Sequence, residues 1–280
     1  MPRLRLFVLL VLLSMAASTS AQWLNYPTPG TPRTSDGKPN LTAPAPRVNG
    51  KPDLSGVWQA STPLAEWRRL LGDDAVDTAI KRQVPGREFG HASKYATNIL
   101  LDFKPEESPL RPGVALRGQA GNTGTNGTCL PFGIPLANLA AIFKVVQSPR
   151  LTVFMYEQDD THRQIYTDGR DLPKEVAQPS WLGYSVGKWE RDTFVVETTG
   201  FNDKTVLDGM GHPHSEALRL VERYRRRDFG HMDVEMTFDD PQMYTRPFTI
   251  KFTQDLQADS DIFEYICNEN EKDRAHMGRE

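Results

Sequence analysis

The residues whose types and spacing carry the clearest chemistry lie in "GMGHPHSEALRLVERYRR", residues 209–226. His212 and His214 flank Pro213, which locks its own φ and biases His212 toward extended backbone. In extended chain, residues i and i+2 point to one side, so the two imidazoles can converge on a single point. Three readings are open: a transition-metal pair, a metal-free acid–base or ligand contact, or a structural loop. Imidazoles suit zinc, copper, iron and nickel. A cupin-type His-x-His site would place a glutamate three or four residues past the second histidine. Here Glu216 follows at two and Glu222 at eight. The expectation is therefore no cofactor. One transition-metal ion held by His212 and His214, with His162 as a third ligand, is the minority reading. Asp203 and Asp208 lie just upstream, where either could orient an imidazole by accepting its N–H.

"THRQIYTDGR" is the second chemical stretch. Strand alternation puts His162, Gln164 and Tyr166 on one face, and Arg163, Ile165 and Thr167 on the other. If the polar face looks into a barrel, His162 supplies a base of near-neutral pKa and Tyr166 a hydroxyl donor. Glu222 and Tyr224 are in phase on "LRLVERYRRR". Glu222 inside a cavity is a candidate acid; on the surface it is a salt-bridge partner for a neighbouring arginine. The catalytic set is thus His212, His214, His162, Tyr166, Glu222 and Arg163, with Trp181, Tyr184 and Tyr224 as substrate-contacting aromatics. Gly-rich phosphate loops, Gly-x-Ser-x-Gly elbows, His-Glu-x-x-His and Cys-x-x-Cys are missing from the sequence.

The elements that must position these groups are mainly strands. From residue 140 onward, β-rich runs bounded by turn residues follow one another: "AIFKVVQSP", "RLTVFMYEQ", "HRQIYTDG", "WLGYSVGKWERDTFVVETTGF", "ALRLVERYRRRD", "HMDVEMTFDD", "PFTIKFTQDL" and "DIFEYICNE". Hairpin turns fall at Arg191–Asp192 and Phe229–Gly230. About nine such strands must close or stack to bury their faces, which predicts an antiparallel meander forming a lipocalin-like barrel. Ahead of them, Leu64, Trp67, Leu70 and Leu71 mark a short helix that Gly72 stops, and "DDAVDTAIKRQV" reads as a second. Residues 85–127 read as a long irregular excursion over a pocket mouth.

The ends have their own signatures. Residues 1–21 combine Arg3 and Arg5, an apolar core from Leu6 to Leu13, and small residues up to Ala21, the layout of a cleaved export signal. Residues 22–52 are rich in proline and glycine and read as an unpacked linker, residues 53–268 as one domain, and residues 269–280 as a charged tail. Without Arg3 and Arg5, the basic count falls from 33 to 31 against 36 acids, which argues against a nucleic-acid partner. No other stretch is long and apolar enough to span a bilayer. Cys129 and Cys267 are the sole cysteines, and in an exported chain such a pair suggests one disulfide.

"LSGVW", residues 54–58, resembles the Gly-x-Trp opening of lipocalin-type barrels, in which the tryptophan plugs the closed end. A broader resemblance rests on "NGKPDLSGVW", "CLPFGIP", "RQIYTDGRDLP", "WLGYSVGKWERDTFVVETTGFNDKTVLDGMGHPHS", "LVERYRR" and "EYICNEN", in that order. Together these resemble an uncharacterised family of exported bacterial proteins. The resemblance implies export and a β-rich, lipocalin-like fold, and it supplies no reaction.

Two functions follow as expectations. One is an exported, periplasmic or secreted, small-molecule enzyme using acid–base chemistry of lyase, hydratase, isomerase or hydrolase type in a barrel pocket. The other is a lipocalin-like carrier of a small hydrophobic ligand, in which the polar groups only orient the cargo.

Overall fold

The computed structural model describes residues 27–81, 92–117 and 130–266. The expected export signal, the expected charged tail and both cysteines, Cys129 and Cys267, lie outside these residues.

Nine strands form a closed barrel in chain order: β3 (Gly56–Ser61), β4 (Ile142–Gln147), β5 (Leu151–Tyr156), β6 (His162–Tyr166), β7 (Tyr184–Glu190), β8 (Thr193–Thr199), β9 (Arg219–Arg226), β10 (His231–Asp239) and β11 (Phe248–Leu256). A ring with an odd number of strands cannot alternate direction throughout, so one neighbouring pair has to be parallel. That pair is β6–β7, joined only at Ile165↔Ser185 and Tyr166↔Val186. The crossover through residues 167–183 carries the chain back along the barrel, and the other pairs of the ring are antiparallel. Both expected hairpins form, β7–β8 with Arg191 at φ 54° and β9–β10 across Phe229–Gly230. The expected strand at "DIFEYI" does not: residues 261–266 carry no strand.

Alternation decides what fills the lumen. On β10, Met232, Val234, Met236 and Phe238 are buried; on β9, Leu220, Glu222, Tyr224 and Arg226 are. Aromatic rings interlock across the strands, with Phe143 stacked on Phe154 at 5.3 Å and Phe154 edge-on to Tyr224 at 5.5 Å. The interior is a packed core rather than an open cup.

Trp58 closes one end. It is fully buried, its indole N–H donates to the Leu54 carbonyl at 2.9 Å, and the Arg226 guanidinium lies 4.9 Å from its ring centroid. Over this end runs the segment expected to be an unpacked linker. Residues 27–52 instead pack as a strap, through Phe229 N–H to Ala43 O and Gly230 N–H to Leu41 O, both 2.7 Å. The two-residue strands β1 (Arg47–Val48) and β2 (Lys51–Pro52) pair within it. Proline and glycine kept the strap irregular, but its backbone groups still find partners on the barrel.

The other end is covered by the short helix α3 (Leu136–Ala140), by residues 92–117 and by the β8–β9 loop. Tyr95, Ile99 and Leu100 enter the core from the irregular segment. Ahead of it stand α1 (Leu64–Leu71), ended by Gly72 at φ 83°, and α2 (Asp73–Lys81). Arg68 joins them through Asp73 and Asp77. No residue of α1 is buried, and Leu64 and Leu71 face solvent. Among the described residues no helix is long and apolar enough to cross a membrane.

Candidate active site

The candidate residues divide among three places: the lumen, an outer groove and an end loop.

Arg163, Glu222 and Tyr224 meet in the lumen. The burial pattern of β6 turns Arg163 and Ile165 inward and leaves His162 and Gln164 exposed. The condition under which the His162 face would look into the barrel is therefore not met, and the solvent-facing reading of that face holds. Ile165, the one aliphatic residue of the run, sets the inward phase, and Arg163 comes with it. Arg163 pays for burial with partners: Nη1 donates to Glu222 Oε1 at 3.0 Å, Nε to Ser185 Oγ at 2.9 Å and Nη2 to Thr198 Oγ1 at 2.6 Å, with a second contact from Nη2 to Glu222 Oε2. Burial alone would lower the arginine's pKa, but the adjacent Glu222 charge raises it on balance. Tyr224 donates to Glu222 Oε1 at 2.6 Å, Asn138 Nδ2 donates to the Tyr224 oxygen at 3.3 Å, and Tyr156 donates to Asn138 Oδ1 at 2.9 Å. Burial pushes the Tyr224 and Tyr156 phenols up, which keeps them donors. Glu222 is thus committed to Arg163 and Tyr224, rather than standing free as an acid, and Arg163 is bound within the wall rather than held open for an oxyanion.

His162, Tyr166, Trp181 and Tyr184 share a groove of about 450 Å³ on the outside of the barrel, where β6 and β7 part above their short parallel pairing. Tyr166 stacks on Tyr184 at 5.3 Å, Arg170 caps Tyr166 at 3.8 Å and donates to the Tyr184 hydroxyl at 2.9 Å. Lys204 lies 6.0 Å from the Trp181 ring. Arg163 and Ser185 reach the floor of this groove from within.

His212 and His214 occupy the loop between β8 and β9. Both are buried, at 6% and 0% exposure. They do not act as a pair. His214 spends both ring nitrogens on the protein, with Nε2 2.6 Å from Thr205 Oγ1 and Nδ1 3.3 Å from the Ser215 carbonyl. Burial lowers its pKa. Gly133, at φ 71°, makes room for this contact, since a Cβ there would lie 2.6 Å from Thr205 Oγ1.

His212 is arranged differently. Its Nδ1 lies 2.6 Å from Asp208 Oδ2, and Asp208 also accepts the His212 N–H at 3.1 Å and the Ile99 N–H at 2.5 Å. Asp208 is fully buried. A carboxylate accepting two backbone N–H groups offers the ring an acceptor, so Nδ1 is the donor in this pair. Among the described residues Nε2 takes no hydrogen bond. Asp203, the other upstream acid, remains exposed and accepts a hydrogen bond from neither ring. Among the described residues no group of three or more His, Cys, Asp and Glu side chains is placed to hold a metal ion.

Several partners were not singled out in the sequence: Asn138, Tyr156, Ser185, Thr198 and Gln254 in the lumen, and Thr205 in the loop. Four of them carry a strand signal, as polar residues in the inward phase of β5, β7, β8 and β11. Asn138, in the otherwise apolar "LANLA", gives none. No family model matches this chain, and neither a curated protein nor a solved structure is similar to it at a significant level.

Proposed function

We propose that this chain is an exported small-molecule enzyme working by acid–base chemistry, with His212 as the base and Asp208 as the carboxylate that orients it. The reading rests on the Asp208–His212 hydrogen bond of 2.6 Å, made by a fully buried carboxylate that is itself fixed by two backbone N–H groups. Such a carboxylate holds the ring in one tautomer and stabilises the imidazolium that forms when Nε2 takes a proton. The proton comes from a C–H beside a carbonyl in an isomerase or lyase, or from water in a hydratase or hydrolase. Export is supported by the layout of residues 1–21.

The test is turnover of a panel of small esters, lactones, epoxides and enolisable carbonyl compounds. His212→Gln should lower turnover about 100-fold or more, since a positioned general base contributes ~10²–10⁴. Turnover that survives His212→Gln unchanged would sink the proposal.

A second reading, a carrier, is favoured by the outer groove. Trp181, Tyr166 and Tyr184 offer aromatic faces there, beside His162 and Asp160. The cargo would lie on the wall, because side chains occupy the lumen. A ligand whose binding is lost in Trp181→Ala, in a protein without turnover, would support it.

A further inference from the structure

We infer that the cavity at the Trp58 end of the barrel binds a small amphipathic monocarboxylate, with the carboxylate against Arg226 and the apolar body against Val57, Phe229 and Leu256. The cavity measures about 570 Å³ and lies between the barrel end and the strap at Pro29 and Gly30. That is within the common range of ~300–1,000 Å³ for small-molecule sites. It is remote from His212, which lies at the other end of the barrel.

The barrel buries two inward-facing arginines, and they are treated differently. Arg163 has Glu222. Arg226, only 5% exposed, has no ion pair among the described residues. Its N–H groups meet backbone carbonyls alone: Nη1 reaches Asp53 O at 2.5 Å and Ser55 O at 3.3 Å, Nε reaches Asp228 O and Phe229 O at 3.3 and 3.2 Å, and Nη2 reaches Phe229 O. Nη2 carries two hydrogens and has one acceptor here, so one donor remains. The guanidinium also lies against two aromatic faces, 4.9 Å from Trp58 and 5.2 Å from Phe229.

Carbonyl dipoles and ring faces solvate a cation without neutralising it, and a buried charge gains most from a full counter-charge with matching geometry. Burial lowers the Arg226 pKa to about 10 and outweighs the charges of Asp53 and Asp228, which raise it, so the cation is only partly compensated. Of the acids of the cavity wall, Asp53 acts on Arg226 through its charge without a salt bridge, and Asp261 is engaged elsewhere. Asp261 pairs with Lys144 at 2.8 Å, and the Asp53 carboxylate accepts the Ser55 N–H at 2.9 Å. The strap that forms the outer wall is pinned by Asp259, which holds Arg33 at 2.6 Å and the Thr28 N–H at 2.8 Å. A carboxylate with a short hydrocarbon or aryl body matches one unpaired guanidinium in a mostly apolar chamber.

Isothermal titration of the full mature chain with octanoate and with 1-octanol tests this. Octanoate should bind at least about tenfold more tightly than the alcohol, the factor that one further charged contact of ~1.4 kcal/mol supplies. Ser260→Trp, which fills the cavity rim and leaves Arg226 in place, should abolish the binding. If that variant fails to fold, intermolecular NOEs in the wild type decide: contacts from octanoate to the Val57 and Leu256 methyls support the site. Equal affinity for the alcohol, no octanoate binding up to about 10 mM, or NOEs to Tyr166 and Tyr184 instead would overturn it.

Discussion

Arg163 on β6 and Glu222 on β9 meet inside the barrel, Nη1 to Oε1 at 3.0 Å, with β7 and β8 between them in the wall. Both are almost wholly shielded from water. The pair ties strands that share no backbone ladder, and Ser185 and Thr198 add the intervening strands to the same cluster. Removing one partner strands the other as a lone buried charge. Glu222→Gln is therefore expected to cost about 3–5 kcal/mol. Arg163→Met with Glu222→Leu should recover most of that loss, and urea unfolding of the three proteins measures it. A single-variant cost below about 1 kcal/mol would mean that water reaches the pair.

His214 makes stability depend on pH. Its folded pKa is lowered by burial, so the unfolded chain takes up a proton that the folded chain refuses. Its contribution is complete above the unfolded value of about 6.5 and is lost as pH falls below it toward the folded value, at up to ~1.4 kcal/mol per pH unit. Unfolding at pH 7.5 and at pH 5 should show the wild type losing more stability than His214→Gln. Parallel curves for the two would contradict this.

Asp208 secures the end loop to the irregular segment as well as orienting His212. Asp208→Ala leaves the Ile99 and His212 amides without their acceptor. The expected loss is about 1–3 kcal/mol for each buried donor left unsatisfied. Hydrogen exchange at the Ile99 amide should accelerate sharply in the variant, and unchanged protection there would remove Asp208 from this role.

The strap hangs on Asp259. Asp259→Ala removes the partner of both Arg33 and the Thr28 N–H. Because the pair is partly exposed, the global cost should be about 1 kcal/mol or less. Limited proteolysis should nonetheless cut faster within residues 27–46 while the barrel resists. Cleavage rates equal to those of the wild type would show that Leu41 and Ala43 hold the strap unaided.

The sequence by itself determined that strands would dominate from residue 140, where the hairpins turn, and that the sheet had to close or stack. Those are local facts: period-two alternation, turn residues, and strand edges that need partners. It also showed that Glu222 and Tyr224 share a face, because phase along one strand is set by the backbone. It could not say which face of β6 points inward. Ile165 and the polar trio His162, Gln164 and Tyr166 made opposite claims, and burial in the core settled it for Ile165. Nor could a single strand reveal that Arg163 would find Glu222, 59 residues away. The separate fates of His212 and His214 were equally hidden. Strand spacing brings two such rings to one side, but the loop turns at Gly211, and each ring follows its own buried partner, Asp208 or Thr205. Contacts between distant segments, decided by burial and hydrogen-bond satisfaction, belong to the tertiary structure alone.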